Sequence, residues 1–199
     1  MNTNHLFHLI FALAFFAMIL LRLVFHKRAA SERQDVELKE SNLNMLLRAV
    51  IGLGYILALT VYVFYPAWLD WGRFPLPLWA RWLGGVVSIG SVLLLWWVQW
   101  ALDVQFNTTL HIQAEHQLIT HGPYRWVRHP MYTTLVLMGL GWLLLTANWF
   151  VGGPLVIGLG IIVTGRVPHE EAVLLETFGD QYQEYMERTG RFLPRHLQP

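Results

Sequence analysis

Apolar residues fall along this chain in five long runs separated by polar or proline-marked breaks. The first, Leu6 to Phe25, has about the 20 residues that cross a hydrocarbon core as a helix, and only His8 and Arg22 interrupt it. No Lys or Arg precedes it while Lys27, Arg28 and Arg33 follow, the reverse of a cleaved leader, so it is expected as a retained helix. The second run covers Leu46 to Leu69 and the third Leu76 to Leu102, with Pro66, Pro75 and Pro77 marking the turn between them. Met131 to Ala147 and Trp149 to Val163 are parted only around Asn148, which predicts a tight helical hairpin. Gly152, Gly153 and Pro154 are expected to disturb the first turn of its second arm. Ala80, Gly84 and Ser88 recur four apart on the third run, a seam of small residues suited to close helix packing.

Charge gives these runs a direction. Lys27, Arg28, Arg33 and Lys39 follow the first run, Arg125 and Arg128 precede the fourth, and Arg166, Arg188, Arg191 and Arg195 follow the fifth. With five spans these groups share one side, which the positive-inside rule makes cytoplasmic, leaving the N-terminus outside and the C-terminus inside. Arg73 and Arg81 stand against the bias, the latter close enough to a helix end to snorkel. The fold class expected is therefore an all-α, multi-pass integral membrane protein of five transmembrane helices with a cytoplasmic C-terminal amphipathic helix. Leu174, Phe178, Tyr182 and Tyr185 supply that helix's apolar face, set to rest on the bundle or the headgroups. Residues 1–103 would form a three-helix membrane region and residues 104–199 a catalytic region.

Composition narrows the function. The 199 residues are 55% hydrophobic and 14% charged, which argues against an ordinary soluble domain. Lys+Arg 14 against Asp+Glu 13 leaves no basic field for nucleic acid. With no cysteine there is no disulfide, thiolate metal site or thiol nucleophile. His111, His116 and His121 are five apart, and on a helix that spacing points them in different directions, so no metal is expected. Ten Trp gather near the ends of the runs, as at a bilayer interface.

Unusual polar residues concentrate between Asn107 and Tyr132 and just after the fifth run. In the first segment Gly122-Pro123-Tyr124 predicts a turn and Arg128-His129-Pro130 the start of a helix. In the second, Arg166 and Glu170 stand one turn apart directly after an apolar span, where an ionisable side chain is a site candidate. Both clusters flank the hairpin on the cytoplasmic side, so they can meet over a pocket open to lipid and cytosol.

At these residues the chain resembles the isoprenylcysteine carboxyl methyltransferase family, which is related to the phospholipid methyltransferases. The resemblance rests on His116-Gln-Leu-Ile-Thr120, Gly122-Pro-Tyr124, Arg128-His-Pro-Met-Tyr132, Arg166-Val-Pro-His-Glu170-Glu171 and Phe178-Gly-Asp-Gln-Tyr182, over roughly residues 105–195. It implies S-adenosylmethionine as cofactor, contacted by His116, Gln117, Leu118 and Ile119, by Tyr124, by His129, Pro130, Met131 and Tyr132, and by Glu170, with His111 nearby. It implies that Arg166 faces the methyl acceptor. The expected activity is carboxyl O-methylation of a lipid-like or prenylcysteine-like acceptor, an amphiphilic small molecule or a lipidated chain, in a prokaryotic cell membrane rather than the endoplasmic reticulum. A phospholipid N-methyltransferase, an NADPH-dependent sterol reductase and a non-enzymatic membrane scaffold are the competing readings.

Overall fold

Small residues set how closely the helices pack. The computed structural model describes residues 3–30, 42–108 and 118–195, with α-helices α1 (Thr3–Ala30), α2 (Asn42–Phe64), α3 (Leu78–Thr108), α4 (Pro130–Thr146), α5 (Trp149–Phe178) and α6 (Asp180–Arg188). Gly84 of α3 lies against Leu144 and Leu145 of α4, and a side chain on Gly141 of α4 would meet Ser88 Oγ at 2.8 Å. The seam expected from Ala80, Gly84 and Ser88 is thus the α3–α4 contact, and Ser88 satisfies its own hydroxyl on the Gly84 carbonyl at 2.7 Å. Gly139 and Gly152 bring α4 and α5 together in the same way.

Three phenylalanines four apart on α1, Phe7, Phe11 and Phe15, enter the core with Leu59 and Tyr62 of α2, Leu95 of α3, Trp142 of α4 and Val151 of α5. Phe11 meets Trp142 edge to face, ring centroids 5.4 Å apart at 80°, a favoured quadrupole geometry. This core joins residues on both sides of position 103. Around it the outward faces stay apolar: Ile51 and Ile161 are each 70% exposed, with Leu13, Val86 and Ile157 similar. A surface of that kind needs lipid to cover it.

Among the described residues, Thr3–Phe25 and Leu78–Leu102 are each long and apolar enough to cross a bilayer, with mean hydropathy 2.4 and 1.6. Two bent pairs bring the number to as many as four. The second apolar run does not stay one helix: α2 ends at Phe64, and a 3-10 segment over Pro66–Gly72, containing Leu69, turns away by 111°. Pro66 causes this, since its ring and missing N–H cannot continue the helix. At 17 residues α4 is the shortest of the apolar helices, and α1 to α5 account for the five runs.

The hairpin forms at Asn148 as expected. Ala147 takes the left-handed conformation at φ 50°, and Asn148 caps α5 by accepting from Phe150 N at 3.0 Å. Its amide also donates to the Leu69 carbonyl at 2.7 Å, tying the hairpin to the 3-10 segment. The disturbance expected at Gly152, Gly153 and Pro154 lies elsewhere: α5 runs on through Pro154 and bends by 43° between Ile161 and Val163. A single helix therefore carries both the fifth apolar run and the polar residues after it.

Candidate functional site

Gly122 opens the site. Its φ of 58° is open to glycine at no steric cost, and the 3-10 turn Gly122–Arg125 that follows presents Tyr124 beside α6. Tyr185 of α6 donates its hydroxyl to the Tyr124 carbonyl at 2.6 Å. From there the chain runs parallel to residues after α6: Gly190 N donates to Trp126 O at 3.2 Å, Arg128 N to Gly190 O at 2.8 Å and His129 N to Arg191 O at 3.0 Å. Thr133 adds its hydroxyl to the Phe192 carbonyl at 2.8 Å. The C-terminal segment thus fastens the Arg128-His129-Pro130 stretch from behind. Tyr182 and Tyr185, expected to face the bundle or headgroups, are buried on the protein side.

Below this stretch lies an ionic cluster with two halves. In the inner half Glu171, its side chain 7% exposed, accepts from Arg128 Nε at 3.0 Å, Arg191 Nε at 3.2 Å and His129 Nε2 at 3.2 Å. Arg128 also donates to the carbonyls of Met186, at 3.1 Å, and Thr189. Burial alone would raise the Glu171 carboxyl, but Arg191 and Arg128 outweigh it and hold the carboxyl below its usual range. Burial pushes His129 the other way, below the ordinary imidazole value, against the pull of Glu171. Neutral His129 must then carry its proton on Nε2 to donate to the carboxylate, which leaves Nδ1 as an acceptor. Burial also pushes the Tyr182 hydroxyl up to about 12.

The outer half is half exposed and centres on Glu170. Its Oε1 accepts from Arg166 Nε at 2.5 Å and from the Tyr132 hydroxyl at 3.0 Å, and its Oε2 stands 3.8 Å from His129 Nδ1. The one-turn spacing of Arg166 and Glu170 survives Pro168 because the helix stays continuous between them. Of the residues singled out in the sequence, the fold gathers Tyr132, His129, Glu170 and Arg166. Leu118 and Ile119 lie half buried just ahead of the Gly122 turn. Pro130 starts α4, where its missing N–H costs nothing, and Met131 packs against the apolar core. His111, His116 and Gln117 lie outside the described residues.

Arg128, Glu171 and Arg191 are additional to the residues singled out. Arg128 reads in sequence as part of a helix start and, with Arg191, of the inside charge. The signal that could have found them is the doublet Glu170-Glu171, whose neighbouring carboxylates on a helix point to different partners. Beside the cluster, Leu94, Trp97, Trp126, Val127, Pro130 and Thr133 line an apolar cavity of about 260 Å³. A polar cluster and an apolar cavity share the same stretch of chain.

Comparison with known proteins places this region. The family model for the isoprenylcysteine carboxyl methyltransferase (ICMT) family matches residues 83–176. The probable protein-S-isoprenylcysteine O-methyltransferase of Oryza sativa subsp. indica is 33% identical over 85 residues, 43% of this chain and 44% of that protein. Protein-S-isoprenylcysteine O-methyltransferase A of Arabidopsis thaliana is 31% identical over 43% of each chain. The Homo sapiens protein-S-isoprenylcysteine O-methyltransferase is 32% identical over 40% of this chain and 28% of its own. The alignments span less than half the length of these relatives. The matched region runs from α3 through the Arg166–Glu170 pair, and over it the chain is similar to the isoprenylcysteine carboxyl methyltransferase family.

Proposed function

We propose that the protein is an integral-membrane S-adenosylmethionine-dependent methyltransferase that esterifies the carboxylate of a lipidated acceptor. The observation that carries this reading is the Arg166–Glu170–Tyr132 group: a cation and an anion, both partly exposed, held one helical turn apart on the stretch of chain that also lines an apolar cavity. The donor set fits the cofactor. Glu170 offers a carboxylate to a cationic ligand, His129 Nδ1 an acceptor, and Tyr124 an aromatic face on a turn fixed by Tyr185. Arg166 fits an acidic acceptor, since a guanidinium grips a carboxylate through two parallel hydrogen bonds.

Bound S-adenosylmethionine would supply an electrophilic methyl group on a sulfonium. The residues then have three tasks. Arg166 holds the acceptor carboxylate, Glu170 balances the positive charge of the donor, and the bundle with its lipid excludes water from the displacement. The acceptor carboxylate held by Arg166 would be the nucleophile toward that methyl group, and because it is ionised it would need no general base. Within the site Glu171 is held by two arginines and His129 Nε2 by Glu171, while His129 Nδ1 remains an acceptor. The names of the relatives point to a protein-borne isoprenylcysteine as the source of the carboxylate, with the apolar cavity beside Trp97 and Trp126 taking the lipid.

The reading includes five spans, with the N-terminus outside and the site on the cytoplasmic side, residues 104–199 forming the catalytic region. Turnover decides between the chemistries. With radiolabelled S-adenosylmethionine and a farnesylated cysteine peptide, the product should release volatile methanol in base, as an ester does. Label that stays base-stable on a phospholipid headgroup would replace this reading with amine methylation. Stabilisation by NADPH and not by S-adenosylmethionine would replace it with the reductase.

A further inference from the structure

Arg73 and Arg81 oppose the charge bias of the spans, and the fold brings them to one cavity at the end of α4 remote from Glu170. The cavity is about 460 Å³ and is lined also by His5 and His8 of α1 and Tyr62 of α2. Its charge is one-sided: two guanidinium groups and two imidazoles line it, and no carboxylate among the described residues does. Asp70 pairs with Arg73 at 3.1 Å outside that lining, with both side chains about half exposed, so it offsets only part of one charge.

Among the described residues, Arg81 is held by neutral partners. Nε donates to the Leu145 carbonyl at 3.1 Å, Nη1 to Asn4 Oδ1 at 2.7 Å, and the guanidinium lies 4.2 Å over the Phe7 ring. These contacts orient the cation without cancelling its charge. A second observation sets the depth. Trp68, Trp71, Trp79 and Trp149 stand around the same end of the bundle, 70%, 61%, 70% and 49% exposed. Exposed tryptophans of this kind belong at the headgroup level of a bilayer. At that level the abundant anion is lipid phosphate.

We propose that this cavity binds the phosphate of an anionic phospholipid between Arg73 and Arg81, with the acyl chains lying along the apolar flank of the bundle. The site is separate from the methyl-transfer cluster, since the two lie at opposite ends of α4.

The test follows the thermal midpoint of the full chain in neutral detergent, titrated with dihexanoyl phosphatidylglycerol, dihexanoyl phosphatidylcholine or inorganic phosphate. Phosphatidylglycerol should raise the midpoint at concentrations where phosphatidylcholine does not. Arg81→Gln should raise the half-effect concentration about tenfold, as for one lost charge-assisted hydrogen bond, and Arg81→Lys by less. Arg73→Gln, which breaks the half-exposed pair with Asp70 and a hydrogen bond with Tyr62, should weaken binding by a factor read against its own lipid-free midpoint, which keeps the test valid if Arg81→Gln folds poorly. Equal effects of the two lipids, or wild-type titration by Arg73→Gln, would overturn the proposal. So would an equal shift by inorganic phosphate at the same concentration, which would assign the cavity to a soluble anion.

Discussion

Arg128 and Glu171 lie 43 positions apart in the chain and meet at 3.0 Å, with 10% and 7% of their side chains exposed. This pair locks the start of α4 onto α5, and Arg191 extends the lock to the C-terminal segment. A buried pair of this kind does little for net stability by existing, but breaking one side leaves a charge stranded away from water. Glu171→Ala is expected to cost on the order of 3–5 kcal/mol, because it strands the buried Arg128 guanidinium. Arg191→Ala should cost much less, because Arg191 is 46% exposed. Thermal denaturation in detergent measures both, and equal losses would contradict the ranking.

The same cluster sets the acid response. The folded value for His129 lies below its ordinary 6.5, so at pH above 6.5 both folded and unfolded chains hold it neutral and it contributes no slope. Below 6.5 the unfolded chain takes up a proton that the folded one resists, and stability falls. Glu171 adds a second loss: its contribution is present above its ordinary 4.5 and disappears as pH falls through its lower folded value. The apparent midpoint should be flat from pH 8 to 7 and decline below about pH 6.5. His129→Gln should flatten the first part of that decline, and an unchanged profile would remove His129 as its source.

Fastening of the Tyr124 turn gives a subtler expectation. Tyr185→Phe deletes one hydroxyl donor to the Tyr124 carbonyl and should cost about 1 kcal/mol. It should also weaken S-adenosylmethionine binding more than it weakens the fold, since the turn that presents Tyr124 is freed. Binding unchanged in Tyr185→Phe would show that the turn is held without it.

Much of the architecture was legible because it is local. Apolar runs of helical length mark α1 to α5, Asn148 marks the hairpin, and Gly84 with Ser88 marks the α3–α4 seam. The Arg166–Glu170 pair was legible for the same reason, being one turn of one helix. Arg128 with Glu171 and Arg191 with Glu171 were not, since they lie on different elements and no periodicity links them. The backward turn at Pro66 was hidden inside an apolar run, because hydropathy does not register a change of direction. Glycine beside proline suggests a break at the start of α5, yet Gly152 serves a close contact with α4 and the helix runs on through Pro154. The Tyr182 and Tyr185 face gave the correct period on α6, but periodicity does not say whether lipid or protein covers it.

Topology follows from the charge bias and is open to direct labelling. Single cysteines introduced at the two termini of this cysteine-free chain should react with an impermeant reagent from opposite sides of the membrane. Labelling of both from one side would contradict the five-span arrangement.

Equilibrium binding of S-adenosylmethionine to the purified wild type, Arg166→Ala and Glu170→Ala proteins tests the central claim most directly. Wild type should bind. Arg166→Ala should keep nearly that affinity while losing turnover, because only the acceptor has lost its anchor. Glu170→Ala should bind more weakly by about tenfold or more, because part of a cationic ligand is left unpaired. Absence of binding to the wild type, or equal affinities in all three proteins, would contradict a cofactor site at Glu170.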